Sequence, residues 1–195
     1  MTPAEKARTA IDAVHGRDPH RLPEGLPAEL AYADRIEGWT VRLEPAADDL
    51  LRLASRCQHL ERFAVPRATF PDGRAGYLAW RRSLYAKQAA GCATILRAAG
   101  FLEADAEKAS RWVAKEGLRR DAGTQVLEDA ACLVFLENEI EAFAAQHADY
   151  PRGKFVEIVR KTWGKMSPRA RRLAVGLDLP PAVAGLVKDA VARPA

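Results

Sequence analysis

Four groups of residues in this chain are of types that can do chemistry. The first is Gln58-His59-Leu60-Glu61-Arg62. A histidine between an apolar helix and a polar turn can act as an acid–base group, a metal ligand or a hydrogen-bonded core residue, because its proton is lost near neutral pH. The second is Asp129, which follows Glu128 inside the apolar run from Val126 to Leu136. Asp129 shares a helix face with Val126 and Leu133, so it should point inward. A buried carboxylate is costly unless it meets a cation, a metal or several donors. Its alternatives are a functional role and a plain ion pair with one of the arginines.

The third group is Arg67, Arg74, Tyr77, Trp80 and Arg81. Tyr77, Trp80, Arg81 and Leu84 follow i, i+3, i+4, i+7 and so share one helix face. An arginine on an aromatic stripe offers a planar fork to carboxylate or phosphate, with a ring to stack against. That reading makes an anion pocket; pairing of Arg81 with Glu61, Glu116 or Asp129 is the alternative. The fourth group, Lys115-Glu116 with Arg119-Arg120-Asp121 after it, reads on its own as a charged helix terminus.

The elements that must position these residues are helical almost throughout. Thr2-Pro3-Ala4-Glu5 reads as an N-cap, a proline at the first helical position and an early acid, with the helix stopping near His15-Gly16. Residues 16–27 hold three prolines and two glycines and form a loop. Helices are expected over about 27–43, 47–61, 74–99, 104–116 and 123–147, the last apolar nearly all round and therefore central. Between the third and fourth, Pro66 and Pro71 forbid a continuous helix, while Phe63 and Phe70 should pack the loop onto the core. An amphipathic helix over 155–166, another from Ser167-Pro168 and a short one after Pro180-Pro181 complete the pattern. The expectation is one all-α domain of about eight to nine helices, with a C-terminal helical extension over about 151–195.

Composition agrees with a packed domain: 195 residues, 48% hydrophobic and 29% charged. Cys57, Cys92 and Cys132 lie far apart in apolar runs, without a CxxC pair, which reads as small core residues in a reducing compartment. No apolar run is long enough to span a bilayer and no secretory pattern opens the sequence, so no membrane association and a cytoplasmic location are expected. The net charge of +4 is unevenly distributed. Residues 62–97 carry +6, residues 151–172 carry +7 and the rest about −9. Blocks of this kind suit an anionic partner, either a small molecule or nucleic acid.

The order of segments resembles the HD-domain superfamily, helical proteins that include metal-dependent phosphohydrolases. Tyr32 stands where that family has its first histidine, His59 matches the histidine of the His-Asp pair, Leu60 replaces its aspartate, and Asp129 falls at the late aspartate. The resemblance spans about residues 26–147 and implies an HD-like core. It also implies His59 and Asp129 as what remains of a degenerate metal site, so that a divalent metal is not favoured and the cofactor stays unknown. Lys115 and Glu116 fall at the end of the helical pair that follows. The strings Gln58-His-Leu-Glu-Arg62, Pro66-Arg67, Gly73-Arg-Ala-Gly-Tyr-Leu-Ala-Trp-Arg81, Leu127-Glu-Asp-Ala-Ala-Cys-Leu-Val-Phe-Leu-Glu137 and Lys161-Thr-Trp-Gly-Lys-Met-Ser167 are similar to a family of unknown function that is often labelled glutamyl-tRNA synthetase. Lys165-Met166-Ser167 resembles a class I synthetase loop, but the His-Ile-Gly-His partner motif is missing and no Rossmann strands are visible, so synthetase activity is not expected.

The functional expectation is binding of a small phosphate- or carboxylate-bearing ligand, with hydrolysis as the first reaction to consider. His59, Asp129 and Glu61 are the catalytic candidates. Tyr32, Arg62, Arg67, Arg74, Tyr77, Trp80, Arg81, Lys115 and Glu116 are the binding candidates. The alternatives are an inactive ligand sensor or scaffold, and a tRNA- or RNA-binding accessory protein using the two basic stretches. The sequence leaves the oligomeric state open.

Overall fold

The computed structural model describes residues 1–191. Ten α-helices run through them: α1 Pro3–His15, α2 Ala28–Leu43, α3 Asp49–Arg56, α4 Gly73–Ala99, α5 Glu103–Val113, α6 Ala122–Val134, α7 Ile140–Gln146, α8 Arg152–Lys165, α9 Pro168–Val175 and α10 Pro181–Val191. Among the described residues there is no strand, and a single bridge joins Arg21 to Pro27. No helix among them is long and apolar enough to cross a membrane. The all-α expectation holds.

Helix termini follow local chemistry. Thr2 accepts from the Glu5 N–H and its own N–H is taken by the Glu5 side chain, a reciprocal cap for α1. Gly100 closes α4 at φ 100°, in the left-handed region that glycine enters without a Cβ clash. Two expected helices end early. The third stops at Arg56 instead of near residue 61, because His59 and Glu61 take φ of 63° and 53°. The fifth stops at Val113, ahead of Lys115 at φ 63°. Left-handed backbone cannot continue an α-helix. The expected sixth helix is divided: a π-helical turn over Phe135–Glu139 separates α6 from α7. One extra residue inserted into the turn changes the i→i−4 register there, and this division raises the count from the expected eight or nine helices to ten.

The chain divides into two compact units, with the division at Leu127 and Glu128 inside α6. In the first unit α4 packs on α5 and α1, and α3 packs on α2 and α5. Ile11, Leu53, Cys57, Cys92, Leu96 and Leu127 form part of its closed apolar core. Each aliphatic side chain taken fully from water there stabilises the fold by about 1.5–3 kcal/mol. Two glycines of α4 bring the loop that follows α3 close to the helix. A Cβ on Gly76 would stand 1.8 Å from the Pro71 carbonyl oxygen, and one on Gly91 would stand 2.8 Å from the Leu60 side chain. The loop that carries His59 and Arg62 is thus laid along α4 by two missing side chains.

The second unit, from Glu128 onward, contains the rest of α6, the π turn and α7 to α10, with α8 packed on α10. Leu133, Leu136, Val159, Met166, Ala174 and Val187 are buried in it.

Candidate functional site

The frame of the site in the first unit is an ionic cluster around Arg56, whose side chain is 2% exposed. Its guanidinium donates to Asp12 of α1 and to Asp34 and Glu37 of α2, the last two at 2.8 and 2.9 Å. Arg8 and Arg52 also donate to Glu37. These cations hold the Glu37 carboxyl below its ordinary range despite burial, and the carboxylates hold Arg56 charged against its own desolvation. The cluster ties α1, α2 and α3 together. It also fixes His15, fully buried at the end of α1, whose Nε2 lies 2.8 Å from the Arg56 carbonyl oxygen. A carbonyl only accepts, so Nε2 carries the hydrogen and Nδ1 is a bare acceptor. Nδ1 has no hydrogen-bond partner. Burial lowers the pKa of His15, which keeps the ring neutral near pH 7.

His59 follows on the loop after α3, with its backbone in the left-handed region. Such a conformation costs a non-glycine residue roughly 1–2 kcal/mol and persists where surrounding contacts enforce it. Those contacts are specific. The imidazole stacks on the Tyr32 ring with centroids 3.7 Å apart and planes 9° from parallel. Arg62 donates through Nη1 to Nε2 at 3.0 Å. Arginine has no acceptor, so Nε2 must be the unprotonated nitrogen and Nδ1 bears the hydrogen. Nδ1 lies 3.3 Å from Oε2 of Glu29, a residue on α2 one turn before Tyr32. Burial, then the charges of Arg62 and Arg81, hold the His59 pKa well below its ordinary value, so the ring is neutral.

Glu29 contrasts with Glu37. Its Oε2 is buried and has no hydrogen-bond partner. Burial raises the carboxyl pKa to about 7, against the opposing pull of Arg62. A carboxyl whose pKa is raised to about 7 thus stands beside a neutral histidine of fixed tautomer.

Arginines and aromatic rings continue outward from this pair. The Arg62 guanidinium lies 5.0 Å from the centre of the Trp80 ring, and Trp80 Nε1 donates to the Val65 carbonyl at 2.8 Å. Tyr77 meets Trp80 at 5.9 Å, and Arg81 donates to the hydroxyls of Tyr77 and Tyr85. Such cation–ring contacts are each worth about 0.5–2 kcal/mol, more when desolvated. Lys115, on the turn after α5, donates to Gln58 Oε1 at 2.6 Å, and Gln58 Nε2 donates to the Leu127 carbonyl at 3.1 Å. The residue before His59 is thereby pinned from two sides.

The structure thus gathers Tyr32, His59, Arg62 and Trp80, with Tyr77, Arg81 and Lys115 next to them. Other sequence candidates have different neighbours. Arg67 spends its guanidinium on the carbonyls of Phe70, Pro71 and Gly73 and braces the loop. Glu61 faces Arg17 at 3.6 Å and Lys87 at 3.3 Å. Arg74 is exposed in the first turn of α4 and Glu116 is exposed before Gly117. Asp129 lies in the second unit, where its Oδ1 accepts from the Ser167 N–H at 2.8 Å. Ser167 in turn caps α9 through its hydroxyl, Met166 is buried, and Lys165 pairs with Glu128 at 3.2 Å. The Lys-Met-Ser tripeptide is therefore the join between α8 and α9.

Two members of the site were not marked by the sequence: Glu29 and His15. Glu29 precedes Tyr32 by three residues, so the two share a helix face, and that spacing was the available signal. His15 reads only as the end of a helix until α3 brings the Arg56 carbonyl to it. As for a metal, the residues around His59 do not fit one: Nε2 faces a guanidinium, which repels a cation. No group of three or more His, Cys, Asp or Glu residues placed to hold a metal ion occurs among the described residues.

The family model described as Domain of unknown function (DUF4202) matches residues 5–187, nearly the whole chain, and the chain belongs to that family. No curated protein and no solved structure matches it significantly.

Proposed function

We propose that this DUF4202 member binds a small phosphate- or carboxylate-bearing molecule at Arg62 and Trp80 and performs acid–base chemistry on it with Glu29 and His59. The carrying observation is the line Glu29–His59–Arg62: a carboxyl 3.3 Å from one imidazole nitrogen and a guanidinium 3.0 Å from the other. The anion draws the Arg62 guanidinium to itself and uncovers Nε2. Nε2 then accepts a proton from an attacking water, while ionised Glu29 holds Nδ1–H and stabilises the imidazolium. The same proton passes to the leaving oxygen as its bond to phosphorus or carbon breaks. Hydrolysis is the reaction class this arrangement suits, and the HD-like order of Tyr32, His59 and Asp129 supports testing it first. Tyr32 and Trp80 form ring walls, and Lys115 and Arg81 add positive charge.

Nucleic acid is the weaker reading. Much of the basic block of the second unit is spent internally. Arg152 pairs with Asp189, Lys161 with Glu157 and Lys165 with Glu128, and Arg171 donates to the Trp163 carbonyl.

The test is a thermal-shift screen of phosphate esters and carboxylates against the full chain, followed by product analysis of each hit. A hit should raise the melting temperature, and Arg62→Ala should abolish the shift. His59→Ala should keep the fold and lose turnover. Binding without product over long incubation would convert the reading to a sensor. A panel without any hit would sink it, and steeply salt-dependent binding of tRNA in its place would favour the nucleic-acid reading.

A further inference from the structure

A cavity of about 180 Å³ opens in the first unit, between the link from α2 to α3, the start of α3, Trp112 of α5 and the first turns of α6. Its apolar wall includes Ala47, Leu51 and Val126. Its polar side chains are the carboxylates of Glu44 and Asp48 and the indole of Trp112, and no basic residue lines it. The protein uses each of these groups only in part. Asp48 accepts the Leu51 N–H through Oδ1 at 2.8 Å, as the cap of α3, and Glu44 accepts the Ala46 N–H through Oε1 at 3.3 Å. Their second oxygens take no protein donor, and neither carboxylate has an ionic partner among the described residues. Trp112 is 6% exposed, yet its N–H has no acceptor among the described residues. A tryptophan buried to that degree usually finds one. Gly123 fixes where this N–H lies. A Cβ there would stand 2.3 Å from Cε2 and 2.4 Å from Nε1 of Trp112, so the nitrogen rests on the Gly123 backbone, at the cavity wall. Lys108, whose ammonium lies 5.0 Å from the centre of the same ring, stays outside the cavity lining. These groups select a ligand. An anion would face two carboxylates, and a purely apolar fragment would strip water from them without replacing it. A cation satisfies them, and an acceptor oxygen on the same molecule takes the indole N–H. A cavity of about 150 Å³ holds a benzene ring, so this one admits a body of side-chain size.

We propose that this cavity is a second binding site, which takes a primary ammonium group with a carbonyl oxygen on the neighbouring carbon, as in an amino-acid amide or the first residue of a peptide. The ammonium is held by Glu44 and Asp48, the carbonyl accepts from Trp112 Nε1, and a small aliphatic side chain packs on Ala47, Leu51 and Val126. The site is independent of the anion-binding reading above, because Glu29, His59, Arg62 and Trp80 take no part in it.

Nuclear magnetic resonance on the full chain at pH 6.5 reads the site directly, through the indole N–H of Trp112 and the backbone N–H of Gly123. Valinamide should move both signals and saturate. Two truncations of it isolate the two polar contacts: isovaleramide lacks the ammonium, and isobutylamine lacks the carbonyl. Each should bind tenfold or more weaker than valinamide. Glu44→Gln combined with Asp48→Asn should bring valinamide and isovaleramide to within about threefold of each other, while asparagine still caps α3. Trp112→Phe should do the same for valinamide and isobutylamine, read at Gly123; if that variant fails to fold, the carboxylate variant decides. The amide of valine-alanine-alanine separates the two sources of the ligand. Binding as tight as that of valinamide assigns the site to peptide N-termini, and exclusion assigns it to free amides. Signals unmoved by valinamide at tens of millimolar overturn the site. Equal affinity for valinamide and isovaleramide, or a preference that survives the loss of both carboxylates, overturns the ammonium assignment.

Discussion

Arg56 and Glu29 are both ionisable groups of the first unit, Arg56 buried and Glu29 largely so, and they are treated in opposite ways by their surroundings. Arg56 meets three carboxylates and stays ionised. Glu29 meets a neutral histidine, keeps one oxygen without a hydrogen bond, and titrates at about 7. A charge whose partners are complete serves the fold, because its desolvation is offset within the protein. A charge whose partners are incomplete raises the energy of the unliganded state, and binding can recover that energy. The difference separates frame from site within a few turns of helix, and His15 is tied to the frame through Nε2.

The largest effect should come from breaking the frame. Arg56→Met removes the cation shared by Asp12, Asp34 and Glu37 and leaves Glu37 to Arg8 and Arg52. A loss of about 3–5 kcal/mol is expected, since stripping one partner from a buried ion cluster leaves uncompensated charge. Urea unfolding should show it as a lower midpoint at unchanged slope. A loss under about 1 kcal/mol would mean that the half-exposed Asp34 and Asp12 carry the cluster as a surface feature, and the contrast with Glu29 would collapse.

The sharpest version of the comparison swaps one carboxyl for an amide at each place. Glu29 has a folded pKa of about 7 against about 4.3 in the unfolded chain. Its contribution is therefore most favourable below the unfolded value and is lost as pH rises through the folded one. Glu29→Gln should stabilise the protein at pH 8 by up to about 4 kcal/mol, since each pKa unit is worth about 1.4 kcal/mol, and by nearly nothing at pH 4.5. Glu37 is shifted the other way. Its stabilisation is present above the unfolded pKa and is lost as pH falls through the folded one, so Glu37→Gln should cost about 1–3 kcal/mol at pH 7 and progressively less in acid. Equal signs for the two variants at pH 8 would dissolve the distinction between them.

These pairings also show how far the sequence could be read. Helical periodicity gave the all-α class and most helix starts, because caps such as Thr2-Pro3 and Ser167-Pro168 are local. The break at Phe135–Glu139 was invisible, since an inserted residue in an apolar run leaves the hydrophobic stripe intact. His59, Tyr32, Arg62 and Trp80 were legible as residue types, and the structure places them together. Glu29 and His15 were not, because nothing local distinguishes a surface glutamate or a helix-end histidine from one that a third helix will bury. Arg56 was missed for the same reason: its importance comes from carboxylates 19 to 44 positions away. Asp129 looked inward, as the structure shows, but the donor it serves is a backbone N–H supplied by the turn before α9.

A smaller effect tests the aromatic wall. Trp80→Phe keeps a ring beneath Arg62 but removes the indole N–H from the Val65 carbonyl. The loss should be about 1 kcal/mol, the cost of one hydrogen bond to a half-buried carbonyl. The weaker ring face should also loosen Arg62 and lower the thermal shift produced by any anion hit. Stability loss without a change in that shift would assign Trp80 to the loop's packing and remove it from the site.

The smallest effect separates strain that serves a site from strain that does not. His59 and Glu61 both occupy left-handed backbone, two residues apart. At His59 the conformation delivers a ring to Tyr32, Glu29 and Arg62; at Glu61 it delivers a partly exposed carboxylate to Arg17 and Lys87. Glycine relieves left-handed strain worth roughly 1 kcal/mol. Exposed ion pairs return little of that, because water and salt screen them. Glu61→Gly should therefore raise the urea midpoint slightly, by an amount equivalent to at most about 1 kcal/mol. His59→Gly gains the same relief but gives up the stack on Tyr32 and exposes Glu29 to solvent, so its net change should be near zero and its pH dependence should shift toward that of an ordinary glutamate. If both variants gain equally and keep the same pH profile, the His59 ring is not what holds Glu29 near neutrality, and the acid–base pair loses its physical basis.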